Sequence, residues 1–370
     1  LNCIDDCDLQ ILYNMLKKTP INLFETFSID KNCWVRNSEK ESFVSEIIFP
    51  VFKTAGIKED FPKERKEVIK LDTKSRYMDN AAAIPLNAEW RNQFPGQNGW
   101  WYLKLYYNSV NSDRLLGENI YFLCEELLKR KYIDLFFFIR YADPKPHIRL
   151  RIHLCEKNMD GDLISVWMQK MYAELNISSC KIDVYEREIE RYGGIELINY
   201  AEKFFYSDSL YVMQLLKCQK NDKKNTKIVK AIMGILSLAL CTQISVGNLE
   251  NLLSEMVDKK KYREIYHEQR KEILRIIINT RHNIIEDNLE FIQIYHWRKR
   301  MFEQYWREIV KQDDDLKLSN SRRNILFSII HMFCNRYFGD TEKERMIMAI
   351  LYHGIHDTNE MEKHNILNGK

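Results

Sequence analysis

The sequence predicts an α+β protein in which a ferredoxin-like βαββαβ sheet is followed by a large helical region. Between residues 100 and 186, segments with strand-like alternation are interleaved with segments of helical spacing, in the order βαββαβ. After Gly193-Gly194 the pattern is helical. A cleft is therefore expected where helices meet the polar face of the sheet.

The elements of the α+β part are predicted within residues 96–192. Its strands are expected at 100–107, 135–141, 147–154 and 177–186. Its helices are expected at 112–130, with Ser112 as N-cap, and at 162–175. The helical part, 193–370, should contain helices at 195–217, 226–242, 259–280, 283–311, 321–336 and 341–353.

The first 95 residues have a different character. Residues 1–55 mix a short amphipathic segment with polar turns and do not have the pattern of a complete domain. Residues 56–95 include a charged stretch at 58–66 and few apolar side chains, which is typical of a linker.

Composition bounds the class of protein. The 370 residues are 45% hydrophobic and carry a net charge of only +3, so the sequence favours a packed globular protein and argues against nonspecific binding of nucleic acid. The nine cysteines form no CxxC pair, which is typical of free thiols in a reducing compartment. No apolar run is long enough to span a bilayer. We therefore expect a cytoplasmic protein without a transmembrane segment.

The predicted strand 147–154 alternates basic and aliphatic residues without interruption. His147, Arg149, Arg151 and His153 share one face, while the four aliphatic residues between them face a core. Such a face can simply be solvated. Two arginines two positions apart on a strand also suit a carboxylate or phosphate, which would relieve their mutual repulsion.

Two further segments carry groups capable of chemistry. Glu188 and Arg191 are three residues apart and would be neighbours on a helical turn, either as a surface ion pair or as part of a site. His331 lies in an apolar helix shortly before Arg336, either as a core histidine or as a proton shuttle. Pairs of metal-ligand residues such as His353 and His356 have no further ligands at suitable spacing, and the sequence has no glycine-rich phosphate loop. No metal and no cofactor are therefore expected.

Several blocks in register resemble one family, the C-terminal elimination domain of lantibiotic dehydratases, also called the thiopeptide-type bacteriocin biosynthesis domain. The resemblance covers about residues 90 to 355. The blocks are 101–106, 138–151, 185–194 with 201–202 and 208–209, and 331–336. Residues 1–55 resemble the end of the glutamylation domain that precedes the elimination domain in full-length members.

The resemblance implies the second stage of a two-stage dehydration of a ribosomally made precursor peptide. A glutamylation domain or separate protein, which uses glutamyl-tRNA, esterifies Ser or Thr. The elimination domain, a lyase, then expels glutamate and leaves dehydroalanine or dehydrobutyrine. A cyclase is a possible further partner, and no direct contact with nucleic acid is expected.

The family pattern also implies roles for individual residues. Arg149 and Arg151, aided by Arg191, would clamp the free carboxylate of the glutamyl group, Glu188 would pair with its ammonium group, and His331 would be the base. The residues expected to contribute to substrate binding are Arg140, His147, Tyr192 and Arg336.

Two other functions compete with elimination. A pyridine-forming cyclase of a thiopeptide pathway has a related fold but joins two dehydroamino acids, so it has no glutamate to hold. A noncatalytic peptide-binding partner of a split dehydratase would use the basic strand for acidic peptide or tRNA, which the modest net charge disfavours.

Overall fold

A computed structural model describes residues 88–107, 112–143, 145–155, 166, 168–170, 172–173, 177–218, 227–285 and 289–367. The predictions for residues 1–87, and most of the predicted helix 162–175, lie outside these residues. Within them the chain is α+β with a large helical region, as the sequence predicts.

The described residues contain six strands, which form two sheets. The strands are β1 (Asn92–Gln93), β2 (Trp100–Tyr107), β3 (Ile133–Tyr141), β4 (His147–Leu154), β5 (Ile177–Asp183) and β6 (Tyr185–Glu186). The larger sheet has the order β3-β4-β2-β5, and every neighbouring pair is antiparallel. The predicted fourth strand is divided: β5 completes this sheet, whereas β6 pairs with β1 in a small second sheet. Residues 92–93, placed by the sequence at the end of the linker, thus pair with the end of the α+β part.

Ten α-helices are described, besides short 3₁₀ turns at Gln97–Gly99 and Glu190–Tyr192. They are α1 (Ala88–Arg91), α2 (Ser112–Arg114), which continues through a π-helical segment (Leu115–Ile120) into α3 (Tyr121–Lys129), α4 (Ile198–Cys218), α5 (Lys227–Cys241), α6 (Val246–Ser254), α7 (Arg263–Arg281), α8 (Leu289–Asp314), α9 (Arg322–Phe338) and α10 (Thr341–Leu367).

The predicted helix boundaries differ from the observed ones at two informative places. Helix α6 was not predicted; Ser245 caps it by accepting a hydrogen bond from the Asn248 amide at 3.2 Å. Ser112 is the first helical residue, not the predicted N-cap, and its hydroxyl instead accepts a hydrogen bond from Arg140 Nη1 at 2.7 Å.

The aliphatic side of β4 lies in the core, as its alternation predicts. Ile148, Leu150 and Ile152 are completely buried. Helix α4 packs along the edge strand β3, where the Phe138 amide donates to Ser209 Oγ at 3.3 Å. Burial of this face fixes the strand, so the basic side chains of β4 must lie on the opposite face.

The register of the sheet surrounds these basic residues with aromatic rings. Arg151 lies opposite Tyr102 on β2 and Phe137 on β3, and Arg149 lies opposite Lys104 on β2. Cross-strand neighbours are close enough for side-chain contact. The arginines of β4 are therefore enclosed by both adjacent strands.

A search for membrane-spanning helices gives no single candidate within the described ranges. The helices Lys227–Cys241 and Val246–Ser254 reach the length and apolar composition of a membrane span only when they are taken together, and their axes are bent by 117°.

Candidate functional site

A cavity of about 580 Å³ lies over the basic face of the sheet, and we call it the cationic cavity. Strands β2, β3 and β4 form its floor, and the segment around β6 and helix α9 contribute to its walls. Its charged lining residues are Arg91, Lys104, Arg149, Arg151, Asp183, Glu186, Arg187, Glu188 and Arg336. Its aromatic lining residues are Phe94, Tyr102, Phe137, Tyr185, Tyr192 and Phe205.

Arg149 and Arg151 are the two cations of this cavity that have no acidic partner among the described residues. Arg151 is only 8% exposed, and its Nε is buried without a hydrogen-bond acceptor. Its guanidinium carbon lies 4.7 Å from the ring centroid of Tyr102 and 4.8 Å from that of Tyr185. Cation–π contacts offset part of the cost of burying the charge but leave the Nε–H group without an acceptor.

The other cations of the cavity are paired. Lys104 forms an ion pair with Asp183, and Arg91 forms one with Glu190. Arg187 binds Glu202 through two bonds of 2.7 and 2.9 Å, and Tyr185 Oη donates to the same carboxylate at 2.9 Å. The unneutralised positive charge of the cavity is therefore concentrated on β4.

A buried ionic cluster lies behind the cavity wall. Asp208 accepts from Arg298 Nε at 2.7 Å and from Arg336 Nη1 at 2.8 Å, and all three residues are at most 1% exposed. Arg336 Nε donates to the Phe138 carbonyl at 2.9 Å. Burial lowers the pKa of Arg336, and Asp208 opposes that effect. Arg336 also lines the cationic cavity, and among the described residues its Nη2 is buried without a hydrogen-bond partner. It supports the wall through Nε and Nη1, and its contact with substrate stays a prediction.

A second cavity, of about 770 Å³, contains His331 and Arg191, and we call it the histidine cavity. Apolar side chains form much of its lining: Met256, Val257, Phe327, Ile330, Met348 and Ala349. His331 Nδ1 lies 2.8 Å from Glu344 Oε2. A carboxylate at this nitrogen selects the tautomer in which Nδ1 carries the proton and Nε2 is free to accept one.

The five predicted catalytic residues are thus divided between two cavities. Arg149, Arg151 and Glu188 line the cationic cavity, whereas Arg191 and His331 line the histidine cavity. Arg191 Nη1 donates to the two carboxylate oxygens of Glu188 at 3.2 and 3.1 Å. This ion pair joins one lining residue of each cavity.

Two of the predicted substrate-binding residues do not line either cavity. Arg140 is 7% exposed, and its guanidinium contacts Asp113 and Ser112 at 2.7 Å and the Arg336 carbonyl at 2.7 Å. His147 is 1% exposed and contacts the Lys145 carbonyl and Arg149. Both residues contact the protein itself, and their direct contact with substrate stays a prediction.

Tyr192, the remaining predicted substrate-binding residue, does line the cationic cavity. It is 4% exposed, and burial raises the pKa of its phenol to about 12. It therefore presents a neutral ring at neutral pH.

Several residues of the site were not predicted. Tyr102 and Lys104 reach it through cross-strand register, which the sequence does not reveal. Glu344, the partner of His331, comes from the next helix. Glu202 and Asp208 lie in blocks that carry the family resemblance, and that position is the one signal that could have identified them.

The part of the chain that the structure describes contains no group of three or more His, Cys, Asp or Glu side chains that could hold a metal ion.

Comparison with known proteins gives consistent matches. The family described as "Lantibiotic biosynthesis dehydratase C-term" matches residues 100–355. Nisin biosynthesis protein NisB of Lactococcus lactis subsp. lactis is 27% identical over 93% of this chain and 32% of its own length. Subtilin biosynthesis protein SpaB of Bacillus subtilis is 27% identical over 95% of this chain and 33% of its own length. The chain therefore spans about a third of the length of these relatives.

The fold also matches a solved structure. The tRNA-dependent lantibiotic dehydratase MibB of Microbispora sp. 107891 aligns with a TM-score of 0.60 and 18% identity, over 71% of this chain and 28% of that one. At this identity the likeness concerns the fold alone.

Proposed function

The chain belongs to the lantibiotic biosynthesis dehydratase C-terminal family, and from this we propose that it is a lyase that eliminates glutamate from glutamylated Ser or Thr of a precursor peptide. The observation that carries the proposal is the pair of arginines on β4 that line a cavity without an acidic partner among the described residues. Arg151 is buried and Arg149 is half-buried. Folding alone does not favour cations that are withdrawn from water without an acidic partner, and a carboxylate ligand would neutralise both.

The chemistry of the leaving group fits this pair. A glutamyl ester keeps a free side-chain carboxylate, and the planar guanidinium groups of Arg149 and Arg151 can hold it through paired hydrogen bonds. Elimination also releases the ester carboxylate, which nearby cations stabilise as its charge develops. Glu188, whose side chain is 56% exposed, keeps room for the ammonium group beside its bond to Arg191.

The division between two cavities supports one orientation of the substrate. We place the glutamyl group in the cationic cavity and the peptide backbone of the modified residue on the side of the histidine cavity. The Cβ–O bond that breaks would then lie near the ion pair of Glu188 and Arg191. In this arrangement the base and the leaving group act from opposite sides.

His331 is the proposed base. Its Nε2 would take the α-proton of the glutamylated residue, the electrons of that C–H bond would form the Cα=Cβ double bond, and the Cβ–O bond would break to release glutamate as a carboxylate. Glu344 would hold the ring and stabilise the imidazolium that forms.

The wider context is proposed from the family. The precursor peptide would reach this chain after glutamylation by a partner domain or protein that uses glutamyl-tRNA. Both steps would take place in the cytoplasm, and a cyclase would act on the product.

The strand order of the larger sheet, β3-β4-β2-β5, supports the split-βαβ arrangement, to which we assign the sheet.

Replacement of His331 tests the assignment of the base. With a synthetic glutamylated peptide, His331→Ala should slow elimination by about 100- to 10,000-fold, the usual contribution of a general base, so that the ester persists in mass spectra. His296→Ala is the matched control, because His296 is exposed on α8 and lines neither cavity. Elimination at the normal rate by His331→Ala would contradict this role.

A further inference from the structure

His147 contacts Arg149 in a way that the proposed chemistry does not use. Arg149 Nε donates to His147 Nε2 at 3.3 Å, and His147 Nδ1 lies 2.8 Å from the Lys145 carbonyl oxygen. A carbonyl oxygen can only accept, so Nδ1 carries the proton and Nε2 is the acceptor for the arginine. The imidazole thus connects the backbone of the β3–β4 turn to the guanidinium of Arg149.

Aromatic rings also pack against both groups. The guanidinium carbon of Arg149 lies 3.4 Å from the ring centroid of Tyr141. The ring centroid of His147 lies 4.7 Å from that of Tyr106 and 5.6 Å from that of Tyr141. Tyr141 packs against the face of Arg149, His147 accepts from its Nε, and the two Nη atoms remain for a ligand in the cavity.

We propose that His147 is a positioning residue, which holds Arg149 by its Nε so that the two Nη groups of the guanidinium face the anion in the cationic cavity. This inference gives His147 a role that acts through Arg149, and it depends on the proposed function only for the identity of the anion.

The environment of His147 keeps it in the form that this role requires. Burial lowers the pKa of the imidazole, and Arg149 and Lys104 lower it further, against the opposing effects of the Lys145 carbonyl and Asp143. A neutral ring can accept from Arg149, whereas an imidazolium would place a second donor against the guanidinium. A long arginine side chain has several rotatable bonds, and fixing one of them before binding reduces the entropy lost on binding.

Binding of L-glutamate to the full chain, measured by calorimetry, is the first part of the test. His147→Phe keeps a ring between Tyr106 and Tyr141 but removes the acceptor, and it should weaken binding by about tenfold or more, as expected for the loss of one hydrogen bond to a charged group. His147→Gln restores an acceptor and should bind within about threefold of the wild type. His153→Phe is the matched control, since His153 shares the strand and the face but contacts Asp134 at 2.8 Å.

The second part observes Arg149 in the unliganded protein. Its Nε–H resonance, assigned by its disappearance in Arg149→Lys, should exchange slowly with water in the wild type and in His153→Phe, and rapidly in His147→Phe. Unchanged exchange and unchanged glutamate affinity in His147→Phe would overturn the inference, as would equal losses in His153→Phe. A wild type that binds glutamate but releases none from a glutamylated peptide would refute the proposed function and leave the role of His147 intact.

Discussion

At the scale of single residues, Arg151 combines burial with the absence of an acidic partner among the described residues. Arg187 lines the same cavity and is buried to the same degree, but it forms a bidentate ion pair with the buried Glu202. Arg187 thus has its partner within the fold, whereas the proposed partner of Arg151 is a ligand.

Replacing each of these arginines by methionine should give opposite effects on stability. Arg151→Met removes an unpaired buried charge, so we expect the free energy of unfolding to stay constant or rise by about 1 kcal/mol while elimination is lost. Arg187→Met leaves the carboxylate of Glu202 buried and unpaired, so we expect a loss of about 3–5 kcal/mol. Urea denaturation measures the stabilities. A large loss of stability in Arg151→Met would show that this charge serves the fold.

At the scale of elements, the crossing of α5 and α9 positions the ionic cluster behind the cavity. Arg298 Nη1 donates to the Gly234 carbonyl at 3.0 Å and to Ser237 Oγ at 3.1 Å, while its Nε holds Asp208. A Cβ added at Gly234 would lie 2.4 Å from Phe333 Cζ on α9. Glycine therefore permits the close approach of the two helices that the cluster requires.

Two glycine-to-alanine substitutions test this packing. Gly234→Ala should lower the free energy of unfolding by about 1–3 kcal/mol, because overpacking outweighs the better helix propensity of alanine. Gly247→Ala in α6 meets nothing within 4 Å and should raise it by about 0.5–1 kcal/mol. Thermal unfolding measures both. Equal effects of the two substitutions would contradict the proposed importance of the α5–α9 contact.

Helix phase explains why the site was only partly predictable at this scale. His331 and Met332 are adjacent, but neighbours on a helix point about 100° apart, and they line different cavities. Met332 and Arg336, four residues apart, contribute to the same cavity. The sequence shows that His331 and Arg336 are close along the helix, but the cavity that each one reaches depends on how α9 packs.

At the scale of the whole molecule, local patterns predicted the strands of the larger sheet and the basic face of β4, because alternation alone determines which side chains share a face. They could not predict the pairing of β1 with β6 or the placement of Tyr102 opposite Arg151, since these depend on contacts between distant segments. For the same reason, local alternation predicted Arg149 and Arg151 but not Glu344 or Asp208, which reach the site from distant segments.

The molecule as a whole provides a cationic cavity and a more apolar cavity that contains the proposed base, and the ion pair of Glu188 and Arg191 contributes one lining residue to each. A glutamylated peptide matches this division, because its charged acyl group and its backbone need different surroundings. A pyridine-forming reaction would have no use for the unpaired arginines, and a binding module would have no use for the oriented His331.

The central claim is tested most directly by giving the full chain a synthetic peptide with one glutamyl ester on serine, without tRNA or ATP, and following the products by mass spectrometry. We predict dehydroalanine in the peptide and one free glutamate for each ester consumed. A peptide that keeps its ester would contradict elimination, and so would one that returns to serine by hydrolysis.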